Sequence, residues 1–387
     1  MSSANQIAEA KIKMFSLGFM LKYSCIQDKC INDCCNSWTI EVDKTTMQKW
    51  QANAPELVES VEQNPYRPEA LRMKTQGEHK SCIQLQDGMC AVHKTRGADM
   101  LPEICNYFPQ LYKAFNGKIY LSGTSACPSV AYIILSEDEE NNFKIHQVSS
   151  EVKKAMNNIS NYDIKGASPQ VVSSVFAKIM AFVSGFANTR LCLKSLYFAS
   201  KLLDETEIST LPQSIDLILK LSNYSGKNVK INHQFEANIF DNIIELTLEI
   251  STRTKPFISL ILQKLKDVKL QGQNPLQIYQ KYEAAKDGLA LNKKYLRRFL
   301  KAKLGESIFP FTPFFSHEED FVLLYCEYLI IDFVIAVFWS QGLLDERVIG
   351  DIIHSVDREF YAKKRSRIMD LIKAQNLDKI ENLFALA

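Results

Sequence analysis

The sequence predicts a mainly α protein with a small α+β, cysteine-rich N-terminal module containing short β-hairpins. Three observations predict it. Eight of the ten cysteines lie before residue 128, at Cys25, Cys30, Cys34, Cys35, Cys82, Cys90, Cys105 and Cys127, and only Cys192 and Cys326 lie beyond. Two tight-turn dipeptides, Asp87-Gly88 and Asn116-Gly117, fall between short apolar runs in the same stretch. From about residue 150 onward the apolar residues recur at helical spacing instead. The expected division is 1–140 for a cysteine-rich metal- or cluster-binding module and 141–387 for an α-helical domain.

Within the module, Trp38 to Val42 alternates as a half-buried strand does, and Asp43 is placed to cap a helix running through Met47 and Trp50. Asn53 to Arg72, with three prolines and many charges, reads as a surface connection. Ile83–Gln86 and Met89–Val92 flank the Asp87-Gly88 turn, so Cys82 and Cys90 are expected on neighbouring strands. Leu111–Phe115 and Lys118–Ser122 flank Asn116-Gly117, with Cys105 and Cys127 on either side. Pro102 and Pro109 frame a short turn or helix around Cys105. Glu137 to Asn142 is an acidic run that reads as the module's edge. Farther on, the stripe Val171, Val172, Phe176, Ile179, Met180 and Val183, the group Phe240, Ile243, Ile244, Leu246 and Leu248, and Ile258–Leu265 each predict a helix. Ser316-His-Glu-Glu319 matches a capping box in front of Phe321–Trp339, a long apolar run. Glu327 and Asp332 inside that run make a membrane span costly, which leaves the central helix of a bundle.

Composition excludes several classes. The chain has 387 residues, 46% of them hydrophobic, with a formal net charge of +2. That balance provides no bulk field for nucleic acid or an anionic membrane. The apolar patch Met14–Leu21 has Glu9 upstream and no small-residue cleavage site, so no secretory signal is read, and Cys25 follows Lys-Tyr-Ser rather than a lipidation site. The expected location is cytoplasmic, with no membrane span.

In that compartment disulfides are disfavoured, and a chain able to bury a large core does not need them. "CIQDKCINDCCNSW" places four cysteines in eleven positions, Cys34 and Cys35 adjacent. Thiolates are soft ligands for zinc or for iron–sulfur iron. A zinc ribbon carries paired C-x2-C elements, and this chain has none. Adjacent cysteines diverge and rarely share one tetrahedral ion. The irregular spacing leans toward a 4Fe–4S cluster, with zinc as the alternative and all eight N-terminal cysteines as candidate ligands. His93, three residues after Cys90, could join them or simply edge the hairpin. His79, His146, His233, His317 and His354 are dispersed and read as surface or capping residues.

"YSCIQDKCINDCCNSWTIEVDK" resembles the opening motif of the flagellin lysine-N-methylases. "SCIQLQDGMCAVHKTRGADMLPEICNYFPQ" and "LSGTSACPSVAYIIL" resemble their second and third blocks, and the cysteine core is also similar to a broader CxxCxxCC family of zinc- or iron-chelating domains. The match covers about residues 20–135 with all eight cysteines present. "LRRFLKAKLGESIFPF", from Leu296, looks like a C-terminal family feature. The chain departs from the pattern at His93, where glutamine is expected, at Gln110, where arginine is expected, and at Ala126, where serine is expected. The resemblance implies methyl transfer from S-adenosylmethionine to lysine side chains of flagellin, the subunit of the bacterial flagellum, by an enzyme whose cysteines hold a 4Fe–4S cluster.

The residues themselves say less about catalysis. No G-x-G-x-x-G follows a strand. Methyl transfer to lysine needs a neutral amine, which a tyrosine or carboxylate could supply by accepting a proton. Tyr107, Tyr112, Tyr120, Glu327 and Tyr328 are available, and none is assigned. "LNKKYLRRFLKAKLG" sets Lys293, Lys294, Arg297, Arg298, Lys301 and Lys303 around an apolar stripe, to be read as a solvated face or as a docking surface; "AKKRSR" (362–367) is read the same way. The rival functions are a non-catalytic zinc- or iron-chelating protein and a cluster-based redox protein.

Overall fold

The computed structural model describes residues 13–26, 29–30, 34–35, 39–65, 67–77, 80–115, 118–136, 143–147, 167–186, 188–231, 233–251, 256–285, 295–307, 309, 311, 315–362, 365–379 and 384–386. The first strand is β1 (Lys13–Leu17). The cysteine-rich part follows with β2 (Glu41–Val42), α1 (Lys44–Asn53), α2 (Pro55–Val58), β3 (Val61–Gln63), β4 (Leu71–Met73), β5 (Thr75–Gln76), β6 (Ser81–Cys82), β7 (Leu85–Gln86), β8 (Met89–Cys90), α3 (Ala91–Arg96) and α4 (Glu103–Tyr107). Next come β9 (Gln110–Phe115), β10 (Lys118–Gly123), α5 (Pro128–Ser136) and β11 (Phe143–Gln147). The helices that follow are α6 (Pro169–Ser184), α7 (Thr189–Asp204), α8 (Leu211–Asn228), then β12 (Val229–Ile231), α9 (His233–Ile250), α10 (Pro256–Leu270), α11 (Pro275–Ala285), α12 (Tyr295–Ser307), α13 (His317–Ser340), α14 (Glu346–Ala362) and α15 (Arg365–Ala374), closed by β13 (Phe384–Leu386).

The chain is mainly helical with a small β-containing module, as its sequence predicts. Two hydrophobic cores form. One, around Ile40, Val42, Trp50, Leu57, Met73, Val92 and Leu101, takes in Cys35 and Cys82. The other joins the helices to the sheet β11-β1-β10-β9 and to α5. That sheet is mixed: β1 runs parallel to β10, and its other pairs are antiparallel. The apolar patch Met14–Leu21, read above only as lacking the marks of a secretory signal, supplies most of β1 and buried Phe19 and Met20. Met20 lies so close to β10 that a Cβ at Gly123 would stand 2.2 Å from its sulfur.

In the small core, Asp43 caps α1 as expected; its Oδ1 accepts the Thr46 N–H at 2.8 Å. Trp50 is fully buried and donates from its indole nitrogen to the Met100 carbonyl at 2.8 Å, so the buried ring leaves no polar atom unpaired. Three expectations are corrected. Residues 53–72 are not a plain connection: they carry α2 and β3, lead into β4, and complete the sheet β2-β4-β3, because Leu57 supplies a core side chain there. Strand β8 stops at Cys90, where α3 begins. Cys82 is not on the hairpin with Cys90: it lies on β6, paired with Thr75 of β5, while Cys90 pairs with Leu85 across the Asp87-Gly88 turn. That turn has positive φ at both residues, 50° and 75°, which the dipeptide tolerates. Asn116-Gly117 and the acidic run 137–142 lie outside the described residues.

The long apolar run forms α13. Ser316 Oγ accepts the Glu319 N–H at 3.1 Å while Glu319 accepts the Ser316 N–H at 3.3 Å, the anticipated capping box. The helix ends where Gly342 takes φ +70° and its N–H, with that of Leu343, closes onto the Trp339 and Phe338 carbonyls. Every residue from Asp320 to Phe338 is buried, so α13 is enclosed by protein along its apolar length. Phe333 packs on Phe240 with ring centroids 5.2 Å apart. Phe333→Ala should therefore lower the unfolding free energy by about 3–5 kcal/mol, read from urea unfolding followed by circular dichroism.

Candidate metal centre

The cysteines collect into two groups that meet at Cys34. In the first, the Cys82 N–H donates to the Cys35 carbonyl at 2.8 Å and the Ala91 N–H to the Gln84 carbonyl at 2.8 Å, which pins β6 and the end of β8 against the 34–35 turn. Cys105 is brought up by α4, whose first residue, Glu103, donates its N–H to Asp43 Oδ2 at 2.9 Å. Asp43 thus caps one helix and anchors another; burial opposes its charge, but bonds from Thr46 and Glu103 outweigh that and hold its pKa below the ordinary value. The Cys35 thiol is in hydrogen-bond contact with the sulfurs of Cys34 and Cys90, which raises it strongly. Cys90 is the accepting partner. The bond from Cys35, together with the His93 and Val92 N–H groups at the start of α3, lowers it to about 6 against the cost of burial. Burial lifts Cys82 to about 11 and Cys105 well above the usual thiol range, and the fields of the neighbouring sulfurs add to both.

The second group is Cys25, Cys30 and Cys127. Ser129 donates to the Ser24 carbonyl, tying the strand-end segment to the first turn of α5. Burial raises Cys127 to about 12 even though the Val130 and Ser129 N–H groups favour its thiolate. Tyr23 is raised by burial and then by the fields of Cys127, Cys25, Cys34 and Cys30, so its hydroxyl feels all four sulfurs.

None of the ten cysteines forms a disulfide. Cys192 and Cys326 are buried in α7 and α13 and touch neither group; burial lifts both, and the Asp378 charge adds to the rise at Cys326. Among the described residues, no three His, Cys, Asp or Glu side chains are arranged to close on one metal ion. The first group nevertheless gathers five soft donors from four separate segments, a set wider than one tetrahedral ion uses and suited in type to thiolate-bound zinc or iron–sulfur iron. His93 is exposed on α3 and acts on Cys90 through its backbone N–H.

The tyrosine and carboxylate candidates do not gather. Tyr107 and Tyr112 meet edge to face at 5.7 Å, Tyr120 stacks on Phe15 and hydrogen-bonds Ser173, and Tyr328 lies deep among the helices. The basic run is neither solvated nor a docking face where it is described: Arg298 and Lys301 of α12 are buried, and Lys303 is half-buried and ion-paired. Lys293, Lys294 and residues 363–364 lie outside the described residues. His354, expected at the surface, is fully buried in α14.

One arrangement escaped the sequence. Lys303 Nζ lies 2.6 Å from Asp357, 3.0 Å from Glu306 and 3.3 Å from Glu327. Asp357 also accepts from Ser125 Oγ at 2.6 Å and Thr124 Oγ1 at 3.3 Å. The helical core thereby grips the turn that leads to Cys127. Asp357 and Ser125 are 232 residues apart, so no local signal could reveal the pairing.

A family model described as the FliB lysine N-methylase C-terminal domain matches residues 186–386, more than half of the chain. The chain belongs to the FliB lysine N-methylase family. A CxxCxxCC model, for a domain proposed to chelate zinc or iron, matches residues 24–148 of this FliB-family chain and so spans every candidate cysteine. A lysine-N-methylase of Salmonella typhimurium is 28% identical over 132 residues, 31% of this chain and 32% of that protein. The flagellar biosynthetic protein FliU of Salmonella muenchen matches at 28% identity, over 76% of its length. The match thus spans about a third of the Salmonella typhimurium methylase. No solved structure matches.

In the buried network, burial is the main force raising Glu327 above the ordinary carboxyl value of 4.5; Lys303 opposes the shift and Asp357 reinforces it. The folded state therefore holds a proton that the unfolded chain releases near pH 4.5, and this contribution to stability is present below that pH and is lost as pH rises toward the folded value. Glu327→Gln should flatten that decline, measured as urea unfolding free energy across a pH series.

Proposed function

We infer that this protein is an S-adenosylmethionine-dependent lysine N-methyltransferase acting on flagellin, with a 4Fe–4S cluster held by the N-terminal cysteines. The observation that carries the reading is the gathering of Cys34, Cys35, Cys82, Cys90 and Cys105 in a chain of the FliB family. The ligands are drawn from these five together with Cys25, Cys30 and Cys127. A bound cluster supplies a redox-active centre of concentrated charge. The protein's own residues hold it: Asp43 fixes Cys105, the Cys35 carbonyl fixes Cys82, and the helix start at Cys90 favours a thiolate before any metal arrives. A flagellin substrate is supported by the flagellar name of the FliU relative. The reading places the protein in the cytoplasm, where thiols remain reduced.

Protein purified without oxygen should be brown, contain iron and sulfide, and lose its visible absorbance on dithionite reduction. A colourless protein with bound zinc would instead favour the chelating role. Incubation with S-adenosylmethionine and flagellin should add mass to lysines in single-methyl steps. Cys105→Ser should reduce bound iron and abolish methylation, whereas Cys192→Ser should leave both unchanged, as measured by metal analysis and peptide mass spectrometry.

A further inference from the structure

The short helix that delivers Cys105 has a second working face. In α4, Glu103 and Tyr107 are one turn apart and share a side, while Cys105, two residues from each, feels the sulfurs of Cys34, Cys90 and Cys82 on the other. The Glu103 carboxylate hydrogen-bonds the Tyr107 hydroxyl. Tyr112 of β9 meets Tyr107 there, with ring centroids 5.7 Å apart and ring planes at 73°. Two rings set nearly at right angles form two walls of a corner, where α4 meets β9. Both tyrosines are half-buried, so each keeps an accessible part, and Ile104 of α4 is 38% exposed.

The corner is electronegative. Burial pushes the Tyr107 hydroxyl up to about 12, and the fields of Glu103, Tyr112 and Asp43 add to the rise. Against the cost of burial, bonds from Thr46 and Glu103 keep Asp43 ionised. Two carboxylates thus act on one ring. The Tyr112 hydroxyl donates to Gln110 Oε1 at 3.0 Å, which fixes the second wall, and burial raises that hydroxyl too. Both rings are therefore neutral phenols at physiological pH. Lys113, the neighbouring cation, lies on the opposite face of β9 and donates to the Glu306 carbonyl, away from the corner. Aromatic faces attract ammonium groups, methylated ones included, because the attraction needs no N–H donor. A carboxylate at the rim adds a full charge of the right sign. An anion would be repelled here, and an uncharged chain would gain nothing from the carboxylates.

We propose that the Tyr107–Tyr112 corner, with Glu103 at its rim, binds the ammonium of a substrate lysine on the outer side of the helix that carries Cys105. That the bound lysine is the methyl acceptor rests on the methyltransferase reading; the ammonium site itself rests on the rings and carboxylates. The test is a saturation-transfer NMR titration of the full chain with N-acetyl-lysine methylamide, with its Nε-trimethyl form, and with N-acetyl-norleucine methylamide, the uncharged analogue. Both cations should bind about tenfold more tightly than the norleucine probe. Tyr107→Leu and Tyr112→Leu should each weaken both cations about tenfold, whereas Tyr107→Phe and Tyr112→Phe, which keep the rings, should stay near the wild type. Glu103→Gln keeps the backbone bond to Asp43 and should weaken the cations while leaving the norleucine probe unchanged. Unfolding curves verify that the variants fold, and where a leucine variant does not, Glu103→Gln decides. A wild-type chain with no preference for the cations overturns the site, as do leucine and glutamine variants that bind them at full strength. Phenylalanine variants that lose binding as the leucine variants do overturn the role of the rings. Flagellin methylation is followed in parallel by mass spectrometry. Variants that lose the cations yet methylate flagellin at the wild-type rate overturn the acceptor assignment. A wild-type chain that binds the cations but methylates no flagellin upholds the ammonium site and removes the methyltransferase reading.

Discussion

A helix that is apolar on every face must be covered on every face, and α13 sets that requirement for the whole fold. All of Asp320–Phe338 is buried, so the surrounding helices have to close around it. The few polar groups on α13 are then the points at which the packing is specified, because a buried carboxylate or hydroxyl accepts only a narrow set of neighbours. Asp332 takes the Tyr279 hydroxyl and so orients α11 against α13. Glu327 lies beside Lys303, which draws in Asp357 and, through it, the turn before Cys127. The polar exceptions on one apolar helix therefore organise both the packing of α11 and one half of the thiol centre.

The other half belongs to the small core. Cys35 and Cys82 are part of that core, and Cys105 is held by the carboxylate that caps α1. Cys127 belongs to the large core, and the Cys25 segment is tied to it by Ser129. Cys34 senses sulfurs from both sides. The site is thus a junction between two separately packed units. The family matches have the same layout, one model over the cysteine-rich part and one over the helices.

What could be read from the sequence followed the range of the interactions. The capping box at Ser316, the Asp43 cap and the Asp87-Gly88 turn are settled within a few residues, and each was legible. The crowding of cysteines pointed to soft-ligand chemistry because composition alone carries that signal. Strand β1 was missed because it is short and its partner β10 lies about a hundred residues later. The placement of Cys82 was misjudged because residues 83–84 leave one two-strand ladder before 85 enters another. The charges of α12 looked solvated because, of the three carboxylates around Lys303, only Glu306 is near it in sequence, while Glu327 and Asp357 come from other helices.

The bond from Ser129 to Ser24 joins two points 105 residues apart, across the entire cysteine-rich segment. Everything between them forms a closed loop, and the entropy of closing it must be met before the outer sulfurs can approach the inner ones. The donor set is complete only once both interiors have condensed, because its sulfurs come from both. Until then the nascent chain carries scattered thiols with no common centre, and neither interior on its own contains the complete set.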